Sequence, residues 1–600
     1  MPNHLYKKHL KRLRIVILGI FFLMTISSIR TLYIQIIRPV NKDIITKFAI
    51  KGERGKIFDR NGKKIAYDVT LSDLVLKKCD TNSSYEIATF VSENFNLNID
   101  SILLKLKKAV KGSLELVSNV NQNKILQLKE RLDQFTEIEV ENTEIGRYYP
   151  YKTLASTIVG KASSDVGRWG IEQDLNELLT GKIDSLSHFI LNNGKKIPAF
   201  EVDDYNNLFG NDIYLTIDLD YQRILSEELS KKMEETNSQY ANGIIVDPFS
   251  GEILAMATLP AVDLNEPLKD IESTRNRVVN HSEEPGSTIK TFSILAGLES
   301  DIIDLSDEIF CEADKDKIGK KNVYKFPELN NRPIEDHEGR DTISVEEVLA
   351  YSSNIGTIKL ALKIGKDPIY NTLRRFGFGQ SFEIDYGMND QNRGMLKPSS
   401  IWNKYSWSSI AIGQEMQSNN LHLAMAYSAI ANGGYLLKPK LVRSVTNHEI
   451  DSDPEIIRKV AKEDTINDIV KALKLVVNRG TASKSPVDFC YYGKTGTAQI
   501  SFPTEKFTDS NGNLKWDEDE MFVDENNNGV WNKGGYYESK YMPSFAGVFP
   551  CDYPQLVCVI SFYNPDISIN SNNKWASLTA VPVVQEIFKR LKLKDKEIVM

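Results

Sequence analysis

Cysteine is scarce in this chain, with five in 600 residues: Cys79, Cys311, Cys490, Cys551 and Cys558. None forms a CxxC pair, and none stands at zinc-ligand spacing with one of the seven histidines, which argues against a zinc-ribbon or finger core. An odd count also rules out a disulfide framework that uses every cysteine. Cys551 and Cys558 are close enough in sequence to pair in an oxidising compartment, although lone buried thiols are the plainer expectation. Basic excess is missing too. A net charge of −7 and a pI near 5.8 lack the positive field of a general nucleic-acid binder, so no nucleic-acid partner is expected. No internal repeat is visible. Long apolar runs are absent except at the N-terminus. What remains, 41% hydrophobic and 26% charged residues, is the composition of a multi-domain globular protein with ample core.

At the N-terminus, Lys7, Lys8, Lys11, Arg12 and Arg14 precede an apolar run from Ile15 to Ile29, which resumes after Arg30 as Leu32, Tyr33, Ile34, Ile36 and Ile37. The run is roughly the 20 residues needed to cross a hydrocarbon core. No acidic residue occurs before Asp43, so the positive-inside rule places the tail 1–14 in the cytoplasm. No Ala-x-Ala-like cleavage site follows, and 15–37 reads as a retained signal anchor, with the rest of the chain outside the membrane. Arg30 either snorkels to the outer interface or faces a partner helix.

Residues 38–205 are polar, with short helical patterns such as Lys124–Phe135 and no obvious chemistry; they read as a pedestal or interaction module. Within them, Phe58 to Ile65 reads as a hairpin, because Asn61-Gly62 tolerates the positive φ of a tight turn. From about 206 to 600 the pattern changes. Strands are expected at 213–217, 243–247, 253–257, 489–500 and 543–563. Helices are expected at 221–233, 288–299, 344–364, 420–432 and 581–592. A strand pair early, helices in the middle and strands late predict an α/β domain whose sheet joins distant parts of the chain.

Three motifs in this second region carry chemistry. Ser287-Thr288-Ile289-Lys290 follows Pro285-Gly286, which places Ser287 at a helix start with Lys290 one turn on, beside it. A serine hydroxyl needs a base to become a nucleophile, and a desolvated neutral lysine can serve. Ser352-Ser353-Asn354 can aim a hydroxyl and an amide into one cleft, although a helix cap is the commoner role of such a triplet. Lys494-Thr495-Gly496-Thr497 lies in a strand pattern, where Thr495 and Thr497 share a face. There Gly496 lets a substrate backbone approach, and Lys494 offers a positive charge to a carboxylate. Gly493-Lys494-Thr495 also resembles the end of a P-loop, but Asp488 stands where that loop needs glycine. Singly each motif is weak. Their order and spacing, with the second about 65 residues after the first and the third about 140 after that, are far more specific.

On these residues the chain resembles the class B penicillin-binding proteins, monofunctional peptidoglycan DD-transpeptidases. Arg54-Gly55 with Asp59-Arg60-Asn61-Gly62 is similar to the family's juxtamembrane signature, and Arg147-Tyr148-Tyr149-Pro150 and Gly170-Ile171-Glu172 to its pedestal motifs. Leu215 to Asp218, Asp247-Pro248, Gly251 to Met256 and Arg275 to Arg277 match the start of its transpeptidase domain. Ala431 to Gly434, Gly480-Thr481-Ala482 and Ser544 to Gly547 match later landmarks. The resemblance implies an α/β penicillin-binding/serine β-lactamase-like domain behind a mixed α+β pedestal and one transmembrane helix. It implies Ser287 as nucleophile, Lys290 as base, Ser352 and Asn354 as proton relay and amide holder, and Lys494, Thr495 and Thr497 as carboxylate site. The oxyanion would be held by the N–H groups of Ser287 and Thr497. D-Ala-D-Ala stem peptides and β-lactams are the implied ligands, a SEDS-family glycan polymerase and other division proteins the implied partners, and no cofactor enters the chemistry. Tyr351 to Thr357 is most similar to the septal, cell-division branch. An elongation-type transpeptidase, a DD-carboxypeptidase and a catalytically idle division scaffold are the alternatives. Gly413 to Asn420 departs from the family's glycine-rich turn.

A second departure is the acidic insertion 505–536. Between Asp509 and Glu525 it holds seven acidic residues and one lysine. Asp509, Asn511 and Asn513, with Asp517 and Glu520 at positions nine and twelve, half-match an EF-hand loop but carry Leu514 at the glycine position. Asp524, Asn526 and Asn528 with Gly529 half-match it again, with Gly535 at position twelve. Trp516 and Trp531 are available for packing. A structural calcium ion is one expectation here and a solvated acidic loop the other.

Overall fold

The computed structural model describes residues 3–33, 45–77, 83–95, 97–108, 114–163, 165–190, 196–198, 208–314, 316–384, 386–403, 405–451, 453–513, 515–518, 520–524 and 529–594. Two compact units divide the chain: Met1–Glu53 with Gly181–Gly210, and Arg54–Thr180 with Asn211–Met600. The first unit contains the helix Asn3–Leu32, whose stretch Tyr6–Leu32 is long and apolar enough to cross a membrane. Residues 34–37 of the expected anchor lie outside the described residues. The unit also holds a three-stranded antiparallel sheet in the order Ile45–Lys51, Ile183–Ile190, Lys196–Pro198.

The second unit takes in residues from both sides of the boundary expected at 205/206. Ile213–Leu215 runs parallel to Ile57–Phe58 and antiparallel to Val442–Val445, so one sheet ties the pedestal residues to the C-terminal region. The expected hairpin is present: Ile57–Phe58 pairs with Lys64–Leu76 across a turn in which Gly62 has φ +79. Helices Ser84–Phe95, Ile99–Lys108 and Gln122–Leu132 cover the outer strands with a small core of their own.

Beneath the hairpin lies a buried ionic knot. Arg54 Nε and Arg147 Nε donate to the two oxygens of Glu172 at 2.7 Å each, and Arg147 Nη1 donates to Asp68 Oδ1 at 3.0 Å. Arg54 Nη1 also donates to Asn176 and Thr180. Burying such charges is costly unless each finds partners, and here each does. The motif residues Arg54, Arg147 and Glu172 thus hold structure together.

The catalytic-type region is built on a five-stranded antiparallel sheet: β1 (Tyr240–Val246), β2 (Ile253–Leu259), β3 (Tyr492–Thr504), β4 (Lys533–Phe549) and β5 (Leu556–Tyr563), in the order β2-β1-β5-β4-β3. β1 is buried along its whole length, which explains why it carries no charged residue. Helices Leu219–Thr236 and Ala580–Lys594 pack together on one face of the sheet. Asp218 caps the first of these, accepting from the N–H groups of Asp220 and Tyr221. On the opposite face lies helix Asn420–Ala431, whose Asn420 accepts from Ser561.

The possible pair Cys551–Cys558 does not form, and Cys79 lies outside the described residues. Cys490 is bonded to Cys551, while Cys311 and Cys558 are buried free thiols. Register explains the choice. β3 and β4 are antiparallel neighbours with Tyr492 opposite Val548, so the residues just beyond this end of the ladder meet at a Cα separation of 5.3 Å. Cys558 sits inside β5, opposite Gly547, and is a free thiol with no other described cysteine bonded to it.

Candidate active site

Pro285-Gly286 opens a single 3₁₀ turn, Gly286–Ile289, that feeds helix Lys290–Glu299. Ser287 lies in that turn, half-buried, and its hydroxyl makes no hydrogen bond among the described residues. Lys290 is fully buried. Its amine does not bond to the serine one turn before it; it donates instead to Ser352 O at 2.6 Å, Ser352 Oγ at 3.3 Å and Asn354 Oδ1 at 2.6 Å. Burial pulls the Lys290 amine down to about 7, against the opposing negative charge of Asp336.

The helical pattern expected over 344–364 is broken in the structure. Val345–Ala350 ends before the motif and Asn354–Ile364 begins at its last residue, with Ser352 left-handed between them at φ +59. That corner lets Ser352 Oγ meet the amines of Lys290 and, at 3.0 Å, Lys494. The capping role belongs to the neighbour: Ser353 Oγ accepts from Gly356 N at 2.9 Å.

The third motif is on β3, the sheet's edge strand in the pairing order, against the Gly286–Ile289 turn. Lys494 is fully buried, so it is not the open cation that its sequence context suggests. Besides Ser352 it donates to Thr495 O at 3.1 Å. Burial and the adjacent Lys290 hold its amine well below the usual lysine range. The two amines thus share one hydroxyl, and burial favours the neutral form of each. Gly496 has a packing reason as well. A Cβ there would lie 2.4 Å from Ser544 Oγ and 3.0 Å from Pro285 O, so the glycine lets β3 lie against the Gly286–Ile289 turn. Thr495 shares a hydrogen bond with Thr481 at 2.6 Å, and Thr497 Oγ1 accepts from Ala576 N at 3.4 Å.

Gly413, in the stretch that departs from the family pattern, supports the same turn. Its φ is +79, its carbonyl accepts from Gly286 N at 3.1 Å, and a Cβ would strike Gly286 O at 2.1 Å. Two residues on, Glu415 N donates to Glu284 Oε1, and Tyr536 Oη donates to Glu284 Oε2, both at 2.9 Å. Burial raises the Glu284 carboxyl to about 7. The rings of His337 and Trp575 meet at a tilt with centroids 4.2 Å apart, near Thr497. Tyr536, His337 and Asp336 escape a sequence reading, because each reaches the motifs through tertiary contacts alone, whereas Glu284 stands three residues before Ser287. Thr481 had a signal, in Gly480-Thr481-Ala482.

The insertion is shorter than expected, because β4 already begins at Lys533. Its neck closes where Glu505 accepts from Asn532 N at 2.7 Å, and Trp516 stacks on Trp531 at 5.4 Å. Asp517 Oδ2 accepts from the amides of Asn511 and Asn513, and Glu520 from Ser510 N and Asp517 N. Asp509 accepts from Gly512 N and Asp524 from Gly529 N. Asn526 and Asn528 lie outside the described residues. Among the described residues no three His, Cys, Asp or Glu side chains gather as for a metal ion.

Comparison with known proteins follows the same outline. The family model of the penicillin binding protein transpeptidase domain matches residues 242–517, and that of the penicillin-binding protein dimerisation domain matches 49–215. Stage V sporulation protein D of Bacillus subtilis is 26% identical over 600 residues, covering 96% of this chain and 85% of that protein. The peptidoglycan D,D-transpeptidase FtsI homolog of Mesostigma viride is 25% identical, covering 96% and 95%. Among solved structures, penicillin binding protein 3 of Mycobacterium tuberculosis in complex with aztreonam superposes with a TM-score of 0.62 at 21% identity, covering 91% of this chain and 97% of that one.

Proposed function

Because this chain belongs to the class B penicillin-binding proteins, we propose that it crosslinks peptidoglycan through a serine acyl-enzyme, in the division-type branch of the family. The observation that carries the chemistry is the convergence of Lys290, Ser352, Asn354 and Lys494 into one hydrogen-bonded cluster behind the Ser287 turn. In this reading Ser287 Oγ attacks the carbonyl between the two terminal D-alanines of a stem peptide as the neutral Lys290 amine takes its proton. The oxyanion is met by the N–H groups of Ser287 and Thr497. As the peptide C–N bond breaks, Ser352 passes a proton to the leaving D-alanine nitrogen, resupplied from the lysine pair. Asn354 orients the donor amide, and Thr495, Thr497 and the Lys494 dipole receive the terminal carboxylate. The amine of a second stem then attacks the ester, forming the crosslink and releasing Ser287. Mass spectrometry of the ectodomain after penicillin treatment tests this: an adduct on the Ser287 peptide that persists for many minutes supports a transpeptidase. Release within seconds makes the protein a hydrolase, and an adduct elsewhere removes Ser287.

The membrane placement belongs to the same reading. A basic tail before one apolar helix supports an N-terminus inside and catalysis outside, where the Cys490–Cys551 disulfide is at home. The partner proposed for the anchor is a multi-span SEDS-family polymerase, supported by the cationic Arg30 within the apolar helix. Replacing residues 15–37 by an unrelated span is expected to keep penicillin labelling and lose function in the cell. Full function of the exchanged protein would remove specific recognition by the anchor.

No resident group takes part in the acyl transfer in this proposal. A calcium ion in the insertion is proposed separately, on the spacing of Asp509, Asn511, Asn513, Asp517 and Glu520 and of Asp524, Asn526 and Asn528. Titration with calcium chloride is expected to release heat and alter Trp516 and Trp531 fluorescence. Silence up to millimolar calcium, about the weak end for extracellular sites, leaves a solvated acidic loop.

A further inference from the structure

Sixteen residues before the second motif, the hairpin Asn322–Phe326/Arg332–Asp336 ends on a carboxylate that is 2% exposed. We infer that Asp336 is a positioning residue of the transpeptidation reaction, holding the Ser352-Ser353-Asn354 corner in register with Lys290. The inference rests on the serine-transpeptidase reading above and extends it to a residue outside all three motifs.

The geometry is specific. Asp336 Oδ2 accepts the Ser353 hydroxyl at 2.5 Å, and Oδ1 accepts the backbone N–H of Asn354 at 2.5 Å and of Ile355 at 3.2 Å. Those two N–H groups are among the orphan donors that open helix Asn354–Ile364, an end that favours negative charge. The preceding residue of the hairpin adds a fourth tie, because Glu335 O accepts from Asn354 Nδ2 at 2.7 Å. With its Nδ2 held there, the Asn354 amide must turn Oδ1 the other way, and that oxygen receives the Lys290 amine at 2.6 Å. Ser352 stands in a left-handed conformation that a non-glycine residue keeps only when its neighbours over-determine it. The clamp on Ser353 and Asn354 supplies that constraint, and it leaves Ser352 Oγ between the two lysines.

The carboxylate also acts at a distance. Its negative charge opposes the burial that lowers the Lys290 amine, and Lys290 in turn opposes the burial that raises Asp336. The other groups facing the pair are Lys494 from β3, whose proximity to Lys290 lowers its own amine, and the buried Cys311 thiol, which meets Ser353 Oγ at 3.6 Å. Asp336 therefore sets both where the base points and how readily it gives up its proton.

The test compares second-order acylation by benzylpenicillin across pH 5–9 in the wild type, Asp336→Asn and Asp336→Glu, with thermal melting of each. Asp336→Asn keeps an oxygen for the two N–H groups and loses the charge. The expected result is a plateau at least about tenfold lower and an acid limb moved to lower pH by roughly half a unit or more, the direction in which removing a nearby anion shifts an amine. Asp336→Glu keeps the charge, and its acid limb is expected to stay closer to the wild-type position. A wild-type plateau and unmoved limb in Asp336→Asn would overturn the inference, as would a loss of melting temperature with neither kinetic change. A wild type that carries no adduct on Ser287 overturns the serine reading itself, a separate outcome visible in the same samples.

Discussion

Ser287→Ala is expected to fold as the wild type does and to take no covalent penicillin label. The expectation of a normal fold comes from the site. Ser287 is half-buried in a short 3₁₀ turn and its hydroxyl serves no described hydrogen bond, so deleting one oxygen removes no internal partner. A change of this kind moves stability by about 1 kcal/mol or less. The turn itself is held by other contacts: Gly413 O on Gly286 N, Thr288 Oγ1 on Pro285 O, and β3 lying against it through Gly496. The kinetic effect is of a different order. Removing the nucleophile of a serine hydrolase costs about 10⁶-fold in turnover, and for a covalent label it removes the attachment point itself. Intact-mass spectra of the treated ectodomain provide the measurement, with melting curves as the control. A mass increase in the alanine variant by one penicillin would move the nucleophile to another residue.

The second large effect is expected at Lys290. Lys290→Met keeps the length of the side chain in a pocket where the lysine is fully buried, and removes only the amine and its three hydrogen bonds. Loss of a general base lowers acylation by roughly 10²–10⁴-fold. The wild-type pH dependence follows from the lowered amine. Near neutrality a free lysine is almost wholly protonated and no base, whereas burial brings the Lys290 amine to about 7. Acylation is then expected to be level above that pH and to fall about tenfold per unit below it, as the amine takes up a proton. In Lys290→Met this limb disappears along with most of the rate. Stopped-flow acylation across pH 5–9 measures both. A limb that survives in Lys290→Met would assign the base to Lys494, whose amine burial and Lys290 also push down. Near-normal acylation in that variant would remove the lysine base altogether.

Local chemistry was legible in the sequence wherever it repeats over a few residues. The i, i+3 relation of Ser287 and Lys290 placed both on one helical turn, the period of two gave Thr495 and Thr497 one face of β3, and Asn61-Gly62 announced its hairpin. The single N-terminal apolar run and the α/β alternation were equally plain, because hydrophobic periodicity is set by which face must be buried. The ordered spacing of three individually weak motifs identified the family for the same reason: sequence order survives when contacts cannot be seen. Tertiary structure alone decided how those motifs meet. Lys290 turned away from Ser287 to the second motif because Ser352 breaks a helix that the pattern 344–364 would continue. Lys494 became a buried amine bonded to Ser352 Oγ, since the sheet strand and the corner at Ser352 bring the two together. Cys490 found Cys551, 61 residues away, through the β3–β4 register. Asp336 reached the helix at Asn354 through a hairpin that no short-range pattern links to the site. Side-chain periodicity reports which face a residue takes, whereas the partner on that face is chosen by packing among elements far apart in the chain.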